Sequence, residues 1–157
     1  MARWQDVVDS EPAFAAEVQE VLDAHKHKTI ATLRRDGSPR VSGIEMRFVD
    51  GDVSFGMMPR SRKLADLRRD PRTEIHSASL LVEGEEMTWI GDARLSGRAQ
   101  EITDPDERAR LTEAPPGAPT FVLDIERVVR IKVEGSPLHL LVQTWRPGLP
   151  LESTFAD

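Results

Sequence analysis

The hydrophobic positions of this chain change their period once, near residue 29. Before that point, residues 10–28 carry apolar side chains three or four positions apart and a proline in the first turn, which predicts an N-terminal amphipathic helix. Its apolar stripe consists of Phe14, Val18, Val21 and Leu22. From residue 29 onward apolar and polar side chains alternate, which is typical of β-strands with one buried face.

Turn signals divide the alternating region into strands. Residues 29–33 lead to the Asp36-Gly37 pair of a hairpin turn, residues 39–49 return, and a second turn at residues 50–52 leads to residues 53–57. The same alternation predicts further strands at residues 73–82, 92–100, 121–133 and 138–145, with a turn at residues 84–86. A short helix is expected from Asp104-Pro105 to about residue 114. Small residues at Gly97 and Ala99 suggest close backbone packing or a barrel bend.

About six strands with short helices between them predict a mainly β protein of the α+β class. The expected architecture is a six-stranded antiparallel split barrel with short flanking helices, since closure removes exposed strand edges. A length of 157 residues favours one domain. Its expected parts are the helix at 10–28, the barrel at 29–146 and an irregular tail at 147–157.

A basic segment at residues 60–71 interrupts the strands. Ser61 suits a helix N-cap, the Asp70-Pro71 pair ends the helix, and Leu64 and Leu67 give it one buried face. Cationic side chains therefore crowd the first turn, where the helix dipole already presents positive charge. That arrangement suits an anion such as a phosphate, and a solvated basic helix is the alternative.

Composition narrows the function classes. The net charge of −6 argues against a general nucleic-acid binder. The chain has no cysteine, no membrane-length apolar run and no leader, so we expect a cytoplasmic protein. We find no metal-ligand spacing among the four histidines and no nucleophile motif. Glu45 and either Glu85 or Glu86 are conceivable acid/base groups, but nothing in the sequence pairs them with each other. An enzyme without a nucleophile, a metal or an evident acid/base pair usually takes its reactivity from a cofactor.

The order of these elements carries a family resemblance. One strand ends in Phe55-Gly56-Met57, and Ser61-Arg62-Lys63 then opens a helix that closes in residues 67–72. This order resembles the pyridoxamine 5′-phosphate oxidase-like family, the flavin-binding split barrels. Residues 91–99 and the segment from Trp145 to Gly148 support the likeness, which covers roughly residues 28–146.

The resemblance implies a homodimer with flavin mononucleotide (FMN) at the subunit interface, or a deazaflavin coenzyme as in some branches. It implies that Arg62 and Lys63 hold the flavin phosphate with Ser61 beside them, and that residues 40–45 lie along the flavin. Two departures from the family pattern are Met57, where a hydroxyl is common, and Asp92, where the vitamin-making oxidase has glutamine. The full set of implied cofactor-binding residues is Arg40, Val41, Ser42, Glu45, Gly56, Met57, Ser61, Arg62, Lys63, Asp92 and Trp145.

Two main hypotheses for function follow. One is a flavin-dependent oxidoreductase acting on an unknown small molecule, with no nucleic-acid or membrane partner. The alternative is a protein of the same fold that binds or carries a flavin, a deazaflavin or haem without turnover. The resemblance does not extend to the substrate-binding arginine and histidine of the true oxidase. A nucleic-acid module using the arginine-rich helix is a third, weaker reading, which a steep salt dependence of binding would support.

Overall fold

A closed β-barrel organises the chain in the computed structural model, which describes residues 1–79, 89–113, 115 and 117–156. The described residues form four helices and eight strands. The helices are α1 (Trp4–Ser10), α2 (Pro12–Asp23), α3 (Arg62–Arg69) and α4 (Pro105–Leu111). The strands are β1 (His27–Leu33), β2 (Pro39–Val49), β3 (Asp52–Gly56), β4 (Arg72–His76), β5 (Asp92–Ile102), β6 (Thr120–Glu134), β7 (His139–Trp145) and β8 (Glu152–Ala156).

The first six strands close on themselves. They are antiparallel neighbours in the order β3-β2-β1-β4-β5-β6, and β6 pairs back with β3 through partners such as Phe121 and Phe55. The six-stranded antiparallel barrel that the alternation predicts is therefore confirmed. β6 is long enough to pair with β3 at its start and with β7 at its end, so that β7 and β8 extend the sheet beyond the barrel.

One core fills the barrel and its mouth. Apolar side chains of α1 and α2 join the inward side chains of the strands, and the rings of Phe55 and Phe121 stack with centroids 5.7 Å apart. Leu64 and Leu67 of α3 enter the same core, as their spacing predicts. No helix in the described part of the chain is long and apolar enough to cross a membrane.

The two ends of the chain differ from the sequence-based expectation. The predicted helix at 10–28 is shorter, because α2 runs only from Pro12 to Asp23 and β1 already begins at His27. An additional helix that was not predicted, α1, precedes it, and the backbone breaks between the two at Glu11 (φ −141°, ψ 68°). The predicted irregular tail contains β8, which pairs with β7 from Thr144↔Glu152 to Leu140↔Ala156. A turn through Gly148 (φ +72°) reverses the chain and makes this pairing possible.

The central elements agree more closely with expectation. Gly97 lies at a register shift between β5 and β6, and a Cβ there would stand 2.0 Å from the Asp124 carbonyl oxygen, which confirms the close backbone packing. β4 is described only as Arg72–His76, because residues 80–88, with the predicted turn at 84–86, lie outside the described residues. α4 ends at Leu111, three residues before the expected end.

Candidate functional site

The N-terminal turn of α3 lies against the middle of β2. Lys63 Nζ donates a hydrogen bond to the Gly43 carbonyl oxygen, which joins the start of the helix to that strand. Burial lowers the pKa of Lys63, and we find no carboxylate partner for its ammonium group in the described ranges. Arg62 beside it is exposed. The start of α3 therefore carries two cationic residues together with the free N–H groups of a helix start.

Two serines in the segments that Lys63 joins have hydroxyls without a partner among the described residues. Ser61 occupies the N-cap position with an extended backbone, as the sequence predicts, but its side chain caps no backbone N–H. Its Oγ and the Oγ of Ser42 are both buried without a hydrogen-bond partner among the described residues. Because a buried hydroxyl normally finds a partner, these two atoms are available to bond a ligand.

The strand surface beside Lys63 is open. Gly43 lies on the outward side of β2, and a Cβ built on it would meet no atom within 4 Å. Val41, two residues earlier on that side, is 68% exposed. The donors of the α3 start, the orphan hydroxyls and this flat strand surface are together called the α3 tip site: Ser42, Gly43, Ser61, Arg62 and Lys63. Its residues fit a phosphorylated group attached to a larger body.

A buried carboxylate fixes α3 against β1 and β2. Asp66 is 3% exposed and accepts hydrogen bonds from Arg40 Nε at 2.6 Å, Thr32 Oγ1 at 3.0 Å and Arg69 at 3.1 Å. Burial by itself raises the pKa of Asp66, but the bonds from Arg40, Arg69 and Thr32 outweigh it and hold the pKa below its usual range. Asp66 is therefore a charged hub beneath the tip site.

This hub changes the role expected of Arg40. The resemblance implies a cofactor contact, whereas the structure commits its Nε to Asp66. Sequence reasoning did not single out Asp66, although a signal existed. Asp66 precedes the buried Leu67 on a short helix and stands three residues before Arg69, the spacing of an intrahelical ion pair.

Other predicted contacts lie near the tip site with their polar groups engaged. Glu45 is exposed and pairs with Lys26 and His27, each at 3.3 Å. Gly56 ends β3 opposite Thr120. Met57 has a buried side chain in the core, and its N–H donates to the Pro119 carbonyl oxygen at 2.9 Å. Their assignment to the cofactor remains a prediction.

Two predicted residues lie on other strands. Asp92 begins β5 opposite Ile131, and β1 and β4 separate that strand from β2. Trp145 ends β7, is 2% exposed and donates from Nε1 to Ser10 Oγ at 2.9 Å. It lines a cleft of about 730 Å³ between α1 and residues 145–149. Within one protomer the structure therefore brings residues 40–45 and 61–63 together and leaves these two apart from them.

The fold agrees with the comparison to known families. The profile described as pyridoxamine 5′-phosphate oxidase matches residues 14–132, which is more than half of the chain. The chain belongs to this family. A comparison with the curated proteins found no match.

Solved structures show the same fold in this family and around it. A pyridoxamine 5′-phosphate oxidase-related, FMN-binding protein from Nostoc punctiforme is 15% identical with a TM-score of 0.65, covering 100% of this chain and 98% of its own. A heme-binding protein from Mycobacterium smegmatis is 18% identical with a TM-score of 0.57, covering 88% of this chain and 56% of its own. General stress protein 26 from Bacillus anthracis is 13% identical with a TM-score of 0.54, covering 73% and 91%.

Proposed function

We propose that this family member binds FMN at the α3 tip site and acts as a flavin-dependent oxidoreductase on a small molecule. The observation that carries the proposal is that the hydroxyls of Ser42 and Ser61 are buried without a partner among the described residues, in the two segments that Lys63 joins through its bond to Gly43. A phosphate group would give both hydroxyls an acceptor and the Lys63 ammonium group a counter-charge. A deazaflavin coenzyme offers a phosphate too and is the alternative cofactor.

Each residue of the tip site has a distinct task in this proposal. Lys63 and Arg62 neutralise the phosphate, and Ser61 and Ser42 donate to its oxygens. Gly43 leaves the strand surface flat, so that a ring system or its linker can lie on it without a side chain intervening. The bound cofactor supplies hydride or electron transfer, and the protein supplies binding and orientation.

A non-catalytic carrier is the second candidate function. We find no nucleophile or acid/base pair at the tip site, and one structural neighbour is described as heme-binding. A flavin or haem carrier of this fold needs only the binding residues. The two candidates differ in turnover, which the experiment below measures.

We further propose a homodimer with the cofactor at the subunit interface. The outward side of β2 presents Val41 at 68% exposure next to Gly43, and an apolar side chain on an open strand surface is suited to cover by a second copy. Asp92 and Trp145, remote from the tip site within one protomer, are then candidates to reach the cofactor of the other. A monomeric mass in light scattering at micromolar concentration would contradict the dimer.

The direct test titrates the purified protein with FMN and with the deazaflavin coenzyme, followed by quenching of their fluorescence. We expect saturable quenching with a dissociation constant of about 1 μM or lower for one of them, equal to roughly 8 kcal/mol of binding free energy. Reduction of the bound cofactor by NADH or NADPH and reoxidation by an acceptor would support the oxidoreductase. Binding without either reaction would support the carrier, and no saturable binding would refute both flavin hypotheses.

A glycine substitution tests whether the cofactor lies on β2. Gly43→Val is expected to weaken flavin binding about tenfold or more, because the new side chain fills the surface that the cofactor would cover. The stability of the free protein should be unchanged or rise by about 0.5–1 kcal/mol, since a β-branched residue suits a strand better than glycine. Gly43→Ala should give an intermediate loss of affinity. Equal affinities across the series, measured by the same quenching titration, would place the cofactor elsewhere.

A further inference from the structure

An arginine on the outward face of β5 has no counter-charge among the residues that the structure describes. The Nε of Arg94 is buried without a hydrogen-bond partner, and within the described ranges its guanidinium group makes no ion pair. The acidic side chains on the same face do not pair with Arg94. Glu74 accepts a hydrogen bond from Ser96 and pairs with Arg127, and Asp92 lies two residues before Arg94 without pairing with it. Keeping a half-buried cation without a counter-charge costs free energy, and a bound anion would offset that cost.

A histidine stands directly opposite this arginine. His76 of β4 is the register partner of Arg94, so both side chains project from the same face with Cβ atoms about 5 Å apart. His76 Nδ1 bonds the Ser77 carbonyl oxygen at 2.7 Å. In the neutral ring that bond places the proton on Nδ1 and leaves Nε2 as an acceptor on the outward side.

The neighbours on the other side of Arg94 are apolar. Its register partner on β6 is Val129, which is 4% exposed, and Ile131 follows on the same face. Across β4 and β1, the row through Arg94 and His76 continues to Thr29 and then Gly43. Two strand spacings separate Gly43 from His76, about 10 Å. The row therefore runs from Gly43 of the α3 tip site to Arg94 along one face of the sheet.

We propose that Arg94 and His76 form the anion end of the substrate site, where they bind the carboxylate of a small organic acid whose apolar body lies on the partly exposed Ile131. The guanidinium group forms charge-assisted bonds to the carboxylate, and His76 lies beside it as a hydrogen-bonding partner. This inference rests on the proposed function, because it places the substrate beside a cofactor anchored at the tip site. It adds the chemical class of the substrate, a monocarboxylate with an apolar body.

The test follows the Arg94 Nε–H resonance in ¹⁵N-labelled full-length protein by NMR, with benzoate as the probe. The assignment comes from the loss of that resonance in Arg94→Met. We expect a saturable shift on benzoate addition that equal concentrations of chloride do not produce. Binding followed on other signals should weaken about tenfold or more in Arg94→Met and less in His76→Gln. Arg98→Met is the matched control, since Arg98 lies on the same strand but is exposed and paired with Glu126 at 3.0 Å.

Running the titration with and without FMN separates this inference from the proposed function. A benzoate shift in a protein that binds no FMN would refute the flavin site and keep the anion site. FMN binding without a saturable benzoate shift would overturn the anion site alone. A shift that depends on protein concentration, together with loss of a dimer in Arg94→Met, would show that a carboxylate of a second copy occupies Arg94, and this too would overturn the proposal.

Discussion

Replacing Arg62 and Lys63 together by alanine is expected to abolish flavin retention while the far-ultraviolet circular dichroism stays that of the folded protein. Both side chains lie at the start of α3, and neither belongs to the core. Charge-assisted hydrogen bonds to a phosphate dianion contribute roughly 1.5–3 kcal/mol each. Their joint loss should therefore weaken binding by about a hundredfold or more in the fluorescence-quenching titration.

Arg68→Ala is the matched control for that double substitution. Arg68 lies in the last turn of the same helix and forms a two-pronged pair with Glu101 at 2.6 and 2.8 Å. The substitution removes one cation from α3 and leaves the α3 tip site unchanged, so flavin affinity should stay close to that of the unaltered protein. If Arg68→Ala lowers affinity as much as the double substitution, the effect is one of general charge and the tip site is refuted.

The barrel was predictable because most of its strands have one buried side; β3 and the start of β6 are buried on both. In β1, for instance, Lys28, Ile30 and Thr32 point inward and are buried while their neighbours are not. Alternation of that kind is visible in a sequence. β8 shows no such signal, since all five of its residues are exposed although it pairs with β7 along its whole length. A strand without a buried face, such as β8, cannot be found from the hydrophobic pattern.

The candidate site was predictable in its parts and not in its assembly. α3 has Ser61 at its N-cap and Arg62 and Lys63 in its first turn, and it ends before Pro71, as the capping and proline signals indicate. The contact of Lys63 with Gly43 depends on strand register and on the angle at which α3 packs, and neither is written in local sequence. The same holds for the row from Gly43 to Arg94, which arises only when four strands are aligned.

Loss of the buried carboxylate should have the largest effect on stability of any single substitution at the site. Asp66→Asn keeps the shape of the side chain but faces Arg40 and Arg69 with an uncharged amide, and we expect unfolding free energy in urea to fall by about 3 kcal/mol. Thr32→Val removes one hydrogen bond to the same carboxylate and should cost about 1 kcal/mol. Equal losses in the two variants would contradict a charged hub.

The pH dependence of that difference identifies its cause. Because the pKa of Asp66 is lower in the folded than in the unfolded protein, its contribution is fully present above the ordinary aspartate pKa of about 4. It is lost as pH falls through the folded value. The stability gap between the unaltered protein and Asp66→Asn should therefore be constant from pH 7 to about pH 5 and shrink below pH 4. A gap that persists unchanged in acid would mean that the substitution acts through packing. The ionic link between α3 and β2 would then not be what holds the start of α3 in place.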